Sequence, residues 1–305
     1  MLPFERIAII GMGLIGSSLA RAIRVRMPTV ALVGADGDPA VRARVAEIGI
    51  VDDIADSAGA AVVDADLVIL AVPLGAFAAI GAEIAGELSP GAVISDVGSA
   101  KQIVFDSLGG VLPAGVHLIP AHPVAGTERS GPDAGFPTLF EGRWCIITPP
   151  ADADDAAMAR LTDFWTRLGS RVEVMDARHH DLVLAVTSHI PHLIAYSIVG
   201  TAADLEGVTR SEVIKYSAGG FRDFTRIAAS DPTMWRDVFL TNRDAVLEVL
   251  GRVSEDIAAL QRAIRWGDGD ALFQRFSQSR DIRRAIIEAG QDTAEPDFGR
   301  HHGDE

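Results

Sequence analysis

Two groups of residues in this chain have the types and spacing to do chemistry. The first is Gly11-Met12-Gly13-Leu14-Ile15-Gly16, a G-x-G-x-x-G run. In such a loop Gly11 permits a tight turn, Gly13 lets the backbone approach a pyrophosphate, and Gly16 lets the following helix pack closely on the preceding strand. The free N–H groups and dipole of that helix N-terminus favour the anion. Asp36 follows about 20 residues after Gly16, where a carboxylate accepts from both ribose hydroxyls and repels a 2′-phosphate. Gly37 stands where an arginine would clamp that phosphate. The expected cofactor is therefore NAD, with NADP disfavoured, although Arg42 and Arg44 on the next helix are within sequence reach of the ribose. Val72 and Pro73, at the end of a later apolar run, are placed with the same cofactor site, because open α/β sheets bind ligands at the carboxyl ends of their strands.

The second group is spread over three segments: Asp96-Val97-Gly98-Ser99-Ala100-Lys101, His122-Pro123-Val124-Ala125-Gly126-Thr127-Glu128, and Gly219-Gly220-Phe221-Arg222-Asp223-Phe224-Thr225-Arg226 followed by Asp231-Pro232-Thr233-Met234-Trp235. The first two begin just past predicted strands. A histidine there can take a proton from a substrate hydroxyl as hydride leaves the same carbon, and an ordinary pKa of about 6.5 suits a base near neutrality. His122 thus suggests an alcohol-oxidising dehydrogenase, against the plainer reading of a structural histidine bonding its own loop.

The elements that must position these residues follow from the pattern of apolar runs. Strands are expected at Arg6–Ile10, Val30–Val33, Leu67–Val72, Ala92–Ser95, His117–Ile119, Trp144–Thr148 and Arg171–Met175, alternating with helical stretches. That alternation is the mark of βαβ units and a mostly parallel sheet. From Ala177 to about Ala289 the strand-like runs vanish and helices are expected, including a long one from Pro232 capped by Asp231. The expected organisation is a Rossmann-type α/β domain over residues 1–176, an all-α domain over 177–290, and a polar, disordered tail from Gln291 to Glu305.

The composition excludes several classes. The 305 residues carry a formal net charge of −15, which argues against nucleic acid as a partner. Lys101 and Lys215 are the two lysines; every other basic residue is an arginine. The single cysteine, Cys145, permits neither an intrachain disulfide nor a cysteine-based zinc cluster and favours a cytoplasmic setting. Cys145 itself falls in a predicted strand and reads as a small core residue. The uncharged run Leu182–Ala203 is long enough to span a bilayer, but its Thr187, Ser188, His189, Pro191 and His192 favour a buried helix facing a polar cleft. No metal is expected: His189 and His192 are interrupted by Pro191 and lack a third ligand. His192 reads as a packed helix histidine, and His179-His180 as a solvated helix start with Asp181 as a neighbour of the cap.

The H-P-x-x-G-T-E segment at His122, Ser188-His189-Ile190-Pro191-His192, and the G-G-F-R-D-F-T-R-I-A…D-P-x-M-W segment, following a dinucleotide loop in this order, resemble the prephenate and arogenate (cyclohexadienyl) dehydrogenases of tyrosine biosynthesis. The similarity runs from about Arg6 to about Ala289. It implies that His122 accepts the ring-hydroxyl proton and that Ser99 lies near that hydroxyl. It further implies that Arg226 binds a substrate carboxylate, that His189 lines the pocket, and that Thr127, Glu128 and Trp235 shape it. Asp223, three residues before Arg226, is expected to hold the guanidinium from the same helical face. The resemblance also implies a homodimer through the helical domain. Any inhibition by tyrosine is expected at the active site, since the chain shows no clear regulatory domain. Two other readings stand beside it: a hydroxyacid or imine dehydrogenase of similar plan, which would call for a catalytic lysine where only Lys215 is offered, and a non-enzymatic NAD-sensing module.

Overall fold

The computed structural model describes residues 2–127, 129–204 and 219–288. Glu128, Lys215 and the tail from Gln291 to Glu305 lie outside the described residues. The chain forms two compact units, Met1–Val246 and Leu247–Glu305. The change from mixed to all-helical sequence after Asp176 therefore falls inside the first unit.

The first unit opens with β1 (Arg6–Ile10), α1 (Leu14–Arg26), β2 (Ala31–Ala35), α2 (Pro39–Ile48), β3 (Asp53–Ala55), α3 (Ala58–Val62), β4 (Leu67–Leu70), α4 (Phe77–Ile84), β5 (Val93–Asp96), α5 (Gln102–Leu108) and β6 (His117–Leu118). The six strands are parallel in the order β3-β2-β1-β4-β5-β6, which is the doubly wound arrangement of a Rossmann fold. Helices cover both faces, so the central strands are apolar on both sides: Ile7, Ala8, Ile9, Leu67, Val68, Ile69 and Leu70 are all fully buried. This is why they read as continuous rather than alternating runs.

A second, three-stranded sheet holds β7 (Ala121–Pro123), β8 (Trp144–Ile147) and β9 (Arg171–Val174), with β7 antiparallel and β9 parallel to β8. The runs at Trp144 and Arg171 thus leave the parallel sheet and build this smaller one. Two strands escaped the sequence reading. β3 is three residues long and partly exposed, and β7 carries His122 and Pro123, which do not look like a strand. Pro123 is tolerated because β7 is an edge strand. Cys145 is buried in β8. Between β8 and β9, α6 (Asp155–Arg167) buries Leu161, Phe164 and Trp165.

The chain then turns helical: α7 (Ala177–Leu184), a π-turn Ala185–His189, α8 (Ile190–Asp204), α9 (Gly219–Thr225), a 3₁₀ turn Arg226–Ala229, and α10 (Pro232–Thr241). Pro191 lacks the N–H that would bond the carbonyl of Thr187, and the helix rewinds just before it. The run Ala177–Asp204 is long and apolar enough, by length and composition, to cross a membrane. It buries only one face: His180, Asp181, Leu184, Ala185, His189 and Ile190 point inward, while Val186 is 54% exposed. The expected buried helix is thus half-exposed within this chain. Asp231 caps α10, accepting from Met234 N at 2.8 Å. The long helix expected from Pro232 breaks at Asn242, and α11 (Arg243–Trp266) starts afresh.

The second unit comprises the rest of α11 from Leu247 and α12 (Gly269–Glu288). Arg275 of α12 pairs with Asp256 of α11. Ile257, Ile264, Trp266, Phe273, Phe276 and Ile282 are all more than half exposed.

Candidate active site

At the end of β1 the glycine loop has the geometry that its spacing implies. Gly11 has φ +98°, and a Cβ there would lie 2.4 Å from Ala71 O. A Cβ on Gly16 would fall 1.9 Å from Gly11 O, so the close approach of α1 to β1 excludes any side chain. Gly13 differs: a Cβ there would meet nothing within 4 Å, and it begins α1 with no side-chain cap. The helix N-terminus therefore opens on free space, which is the fit a pyrophosphate needs. Leu14 and Ile15 begin the helix partly buried, whereas the Met12 side chain is fully buried in the core.

Asp36 stands just past β2. Its Oδ2 accepts from Met12 N at 2.8 Å and its Oδ1 from Asp38 N at 2.9 Å, tying the glycine loop to the β2–α2 turn. Of the two arginines within sequence reach, Arg42 is held at this turn and Arg44 is committed elsewhere. Arg42 Nη1 donates to the Asp36 carbonyl at 2.8 Å, and Arg44 forks onto Asp133, Nη2 to Oδ1 at 2.7 Å. Val72 lies against the Gly11 turn, its Cγ1 2.9 Å from where a Gly11 Cβ would be, and Pro73 leads into a short 3₁₀ turn.

His122 does not sit past a strand end as the sequence suggested. It lies in β7 and is 6% exposed. Its Nδ1 meets His180 Nε2 at 2.8 Å, with the rings 5.1 Å apart and edge-to-face. His180 Nδ1 in turn meets Asp181 Oδ1 at 2.8 Å. Asp181 takes two main-chain donors at the start of α5, Lys101 N on Oδ1 at 2.7 Å and Gln102 N on Oδ2 at 3.0 Å. Beneath β7, Lys101 Nζ pairs with Asp96 Oδ2 at 2.5 Å and donates to Ala121 O at 2.7 Å, while Ala121 N donates to Asp96 Oδ1 at 3.2 Å. Both charged side chains have no exposure. Burial pushes Asp96 up and Lys101 down, each opposed by the other. Burial also drives His122 well below the usual histidine range, reinforced by neighbouring His180, Lys101 and His189.

A third histidine completes the cluster. His189, at the end of the π-turn, is fully buried; burial lowers its pKa to about 4 against the pull of Asp181, and the Ser99 main chain is close enough to raise it slightly. Asn242 Nδ2 lies 3.1 Å from His189 Nδ1 and donates to Asp181 O at 2.8 Å. Trp235 packs edge-on to His189 at 6.1 Å and stacks on His192 at 3.7 Å. His192 Nδ1 bonds Ser188 O at 2.9 Å. Its pKa is lowered by burial, and the charge of Arg226 lowers it further.

The fold thus draws His122, Ser99, His189, Trp235 and Arg226 to one region of the first unit. Thr127 is half-buried and its Oγ1 accepts from Arg129 N at 3.2 Å. Asp223 pairs with the adjacent Arg222, Nε to Oδ1 at 3.3 Å, and α9 ends at Thr225, so Asp223 and Arg226 do not share one continuous α-helix. His180 corrects the reading of a solvated helix start. Only His179 is exposed, and the cap is Asp176, which accepts from Arg178 N and His179 N. The signal was available: Ala177, His180, Asp181 and Leu184 recur at the spacing of one helix face, and that face is buried. Asn242 was not singled out, and Asp96 and Lys101 lay in a segment that was, without a role of their own. Among the described residues no three or more His, Cys, Asp or Glu side chains are grouped to hold a metal ion.

A dinucleotide cradle at the head of a parallel sheet, with a buried histidine cluster in the same unit, defines a Rossmann-type dehydrogenase. Comparison with known proteins gives the family. The model described as the prephenate dehydrogenase nucleotide-binding domain matches residues 19–174, and that described as the prephenate dehydrogenase dimerization domain matches residues 176–278. The cyclohexadienyl dehydrogenase of Zymomonas mobilis is 43% identical over 286 residues, covering 94% of this chain and 97% of that protein. The prephenate dehydrogenase of Bacillus subtilis is 34% identical, covering 92% and 76%. Among solved structures, Aquifex aeolicus prephenate dehydrogenase in complex with hydroxyphenyl propionate and NAD+ superposes with a TM-score of 0.84 at 31% identity, covering 92% of this chain and 98% of that one. The chain belongs to the prephenate dehydrogenase family.

Proposed function

We propose that this enzyme carries out the NAD-dependent oxidative decarboxylation of prephenate to 4-hydroxyphenylpyruvate, of arogenate to tyrosine, or of both, with His122 as the proton acceptor. The observation that carries the reading is His122 itself: a buried histidine, engaged at Nδ1 and held neutral by its surroundings, in the same unit as the glycine loop. Bound NAD supplies the hydride acceptor. Gly11-Met12-Gly13-Leu14-Ile15-Gly16 would hold its pyrophosphate and Asp36 its ribose, with Val72 and Pro73 alongside.

His122 takes the proton of the ring hydroxyl as hydride leaves the same carbon. The bond to the ring carboxylate then breaks, its electron pair enters the ring, carbon dioxide departs, and the proton returns to the phenolic oxygen. Ser99 lies beside the reacting hydroxyl and His189 lines the pocket. Trp235 and Thr127 shape it, with Glu128 assigned there by the family resemblance alone. Arg226 binds the side-chain carboxylate, because a firm grip on the ring carboxylate would stabilise the charge that must be lost. Asp223 serves the same carboxylate site from α9.

The chain acts as a homodimer. The match to a dimerization domain and the exposed apolar residues of α11 and α12 support this. Tyrosine, as a product-like ligand, competes at the active site.

NADH absorbance with prephenate and with arogenate tests the activity. Turnover of at least one is expected; none with either, in folded protein that binds NAD, overturns the proposal. Paired kcat/KM values assign the preference. Arg226→Gln, assayed with substrates lacking one or the other carboxylate, is expected to hurt those that keep the side-chain carboxylate most, and equal losses refute its placement.

A further inference from the structure

We propose that His180, Asp181 and Asn242 are positioning residues that fix opposite tautomers on the two histidines of the site, leaving His122 a proton acceptor at Nε2 and His189 a proton donor at Nε2. This rests on the reading of His122 as the base.

The assignment follows from which atoms can only donate and which can only accept. The main-chain N–H groups of Lys101 and Gln102 donate to Asp181 Oδ1 and Oδ2 at 2.7 and 3.0 Å. With both oxygens accepting, the carboxylate also accepts from His180, so His180 Nδ1 carries the hydrogen across the 2.8 Å contact. A neutral His180 then has a lone pair on Nε2, and the 2.8 Å contact to His122 requires His122 Nδ1 to donate. His122 Nε2 is left with its lone pair, as a base needs. Imidazole side chains in water favour hydrogen on Nε2, so this tautomer is imposed.

His189 is fixed by the same residue from the other side. The Asp181 carbonyl can only accept, so the atom 2.8 Å away is the amide nitrogen of Asn242 and not its oxygen. That nitrogen's second hydrogen points to His189 Nδ1 at 3.1 Å, making Nδ1 the acceptor and placing the hydrogen on Nε2. His189 Nε2 is buried without a well-formed hydrogen bond, and the Ser99 main chain acts on His189 in the sense that raises its pKa, as expected where Nε2 carries the hydrogen. Residue 181 thus governs both histidines, His122 through its side chain and His189 through its carbonyl.

The groups facing His122 are His180, Lys101 and His189, with Asp96 and Asp181 behind them. Burial lowers the pKa of all three histidines, so the neutral forms persist at neutral pH. Loss of the correct histidine tautomer in serine-protease triads costs about 10⁴ in rate. The cost here is smaller, because His122 without His180 can still sample the right form.

The test combines long-range proton–nitrogen NMR of the full-length, histidine-labelled enzyme with steady-state kinetics of His180→Leu and His180→Gln. Wild-type His122 is expected as the Nδ1–H tautomer and His189 as the Nε2–H tautomer. His180→Leu removes the acceptor and is expected to turn His122 to Nε2–H, lowering kcat at least about 10-fold with KM nearly unchanged. In His180→Gln the side-chain oxygen can accept from His122 while its nitrogen donates to Asp181, restoring Nδ1–H and most of kcat. The proposal is overturned by wild-type His122 in the Nε2–H form, by wild-type His189 in the Nδ1–H form, by unchanged kcat in His180→Leu, or by equal losses in both variants. If His180→Leu does not fold, the wild-type tautomers and the kcat of His180→Gln still decide. An inactive wild type with these tautomers would instead refute the catalytic reading.

Discussion

Replacing Lys101 by methionine keeps most of the side-chain volume and removes one charge of a fully buried pair. Asp96 then keeps only main-chain donors, Gly98 N at 2.7 Å and Ala121 N at 3.2 Å, while Ala121 O loses the ammonium that bonded it at 2.7 Å. Removing one partner of a buried ion pair costs about 3–5 kcal/mol. The carboxyl limits that cost by protonating. Burial already holds the folded-state pKa of Asp96 above its unfolded value, and removing the ammonium that opposes this raises it further. An acid raised in the folded state stabilises fully below its unfolded pKa and loses that contribution as pH rises through the folded one. Burial raises Asp96 in the wild type too, but Lys101 opposes it, so the loss is steeper in the variant. The stability difference between wild type and Lys101→Met should therefore be small at acid pH, where the carboxyl is protonated, and widen as pH rises, to about 4 kcal/mol. Urea unfolding followed by fluorescence of the buried Trp165 at several pH values measures it. Adding Asp96→Asn should flatten the pH dependence. A difference below about 1 kcal/mol at pH 8, or one that shrinks as pH rises, would refute the reasoning.

Four further outcomes follow. Gly16→Ala places a methyl group 1.9 Å from Gly11 O, so NAD affinity by fluorescence titration and melting temperature should fall together. Asp36→Ser removes the carboxylate that excludes a 2′-phosphate and should raise the NADP-to-NAD ratio of kcat/KM, while weakening both cofactors because Met12 N loses its 2.8 Å partner. His122→Asn should lower kcat by about 10²–10⁴ with little change in KM. In the wild type, the neutral, accepting form of His122 exists above its depressed pKa, so kcat/KM should hold through about pH 6.5, the ordinary histidine value, and fall only well below it.

The dinucleotide half was legible because its devices are local. A turn that only glycine can make, a helix start with no side-chain cap and an acid one strand later are adjacent in the chain, and the sheet that carries them is written in continuous apolar runs. Of the two strands that escaped, β3 is short and partly exposed, and β7 is short and carries His122 and Pro123, which mask a buried strand. His122 was legible as a reactive residue but not as a strand residue.

What the sequence determined alone was therefore the fold class, the cofactor loop and the segment that carries His122. The tertiary structure decided what surrounds that histidine. His122, His180 and Asp181 join two elements 58 residues apart, and Asn242 reaches His189 across 53. No periodicity records such pairings, because a hydrogen bond between side chains depends on which faces the packed elements turn toward each other. His179 and His180 are neighbours in the chain, yet one faces water and the other His122. The helical turn alone, about 100° per residue, separates them.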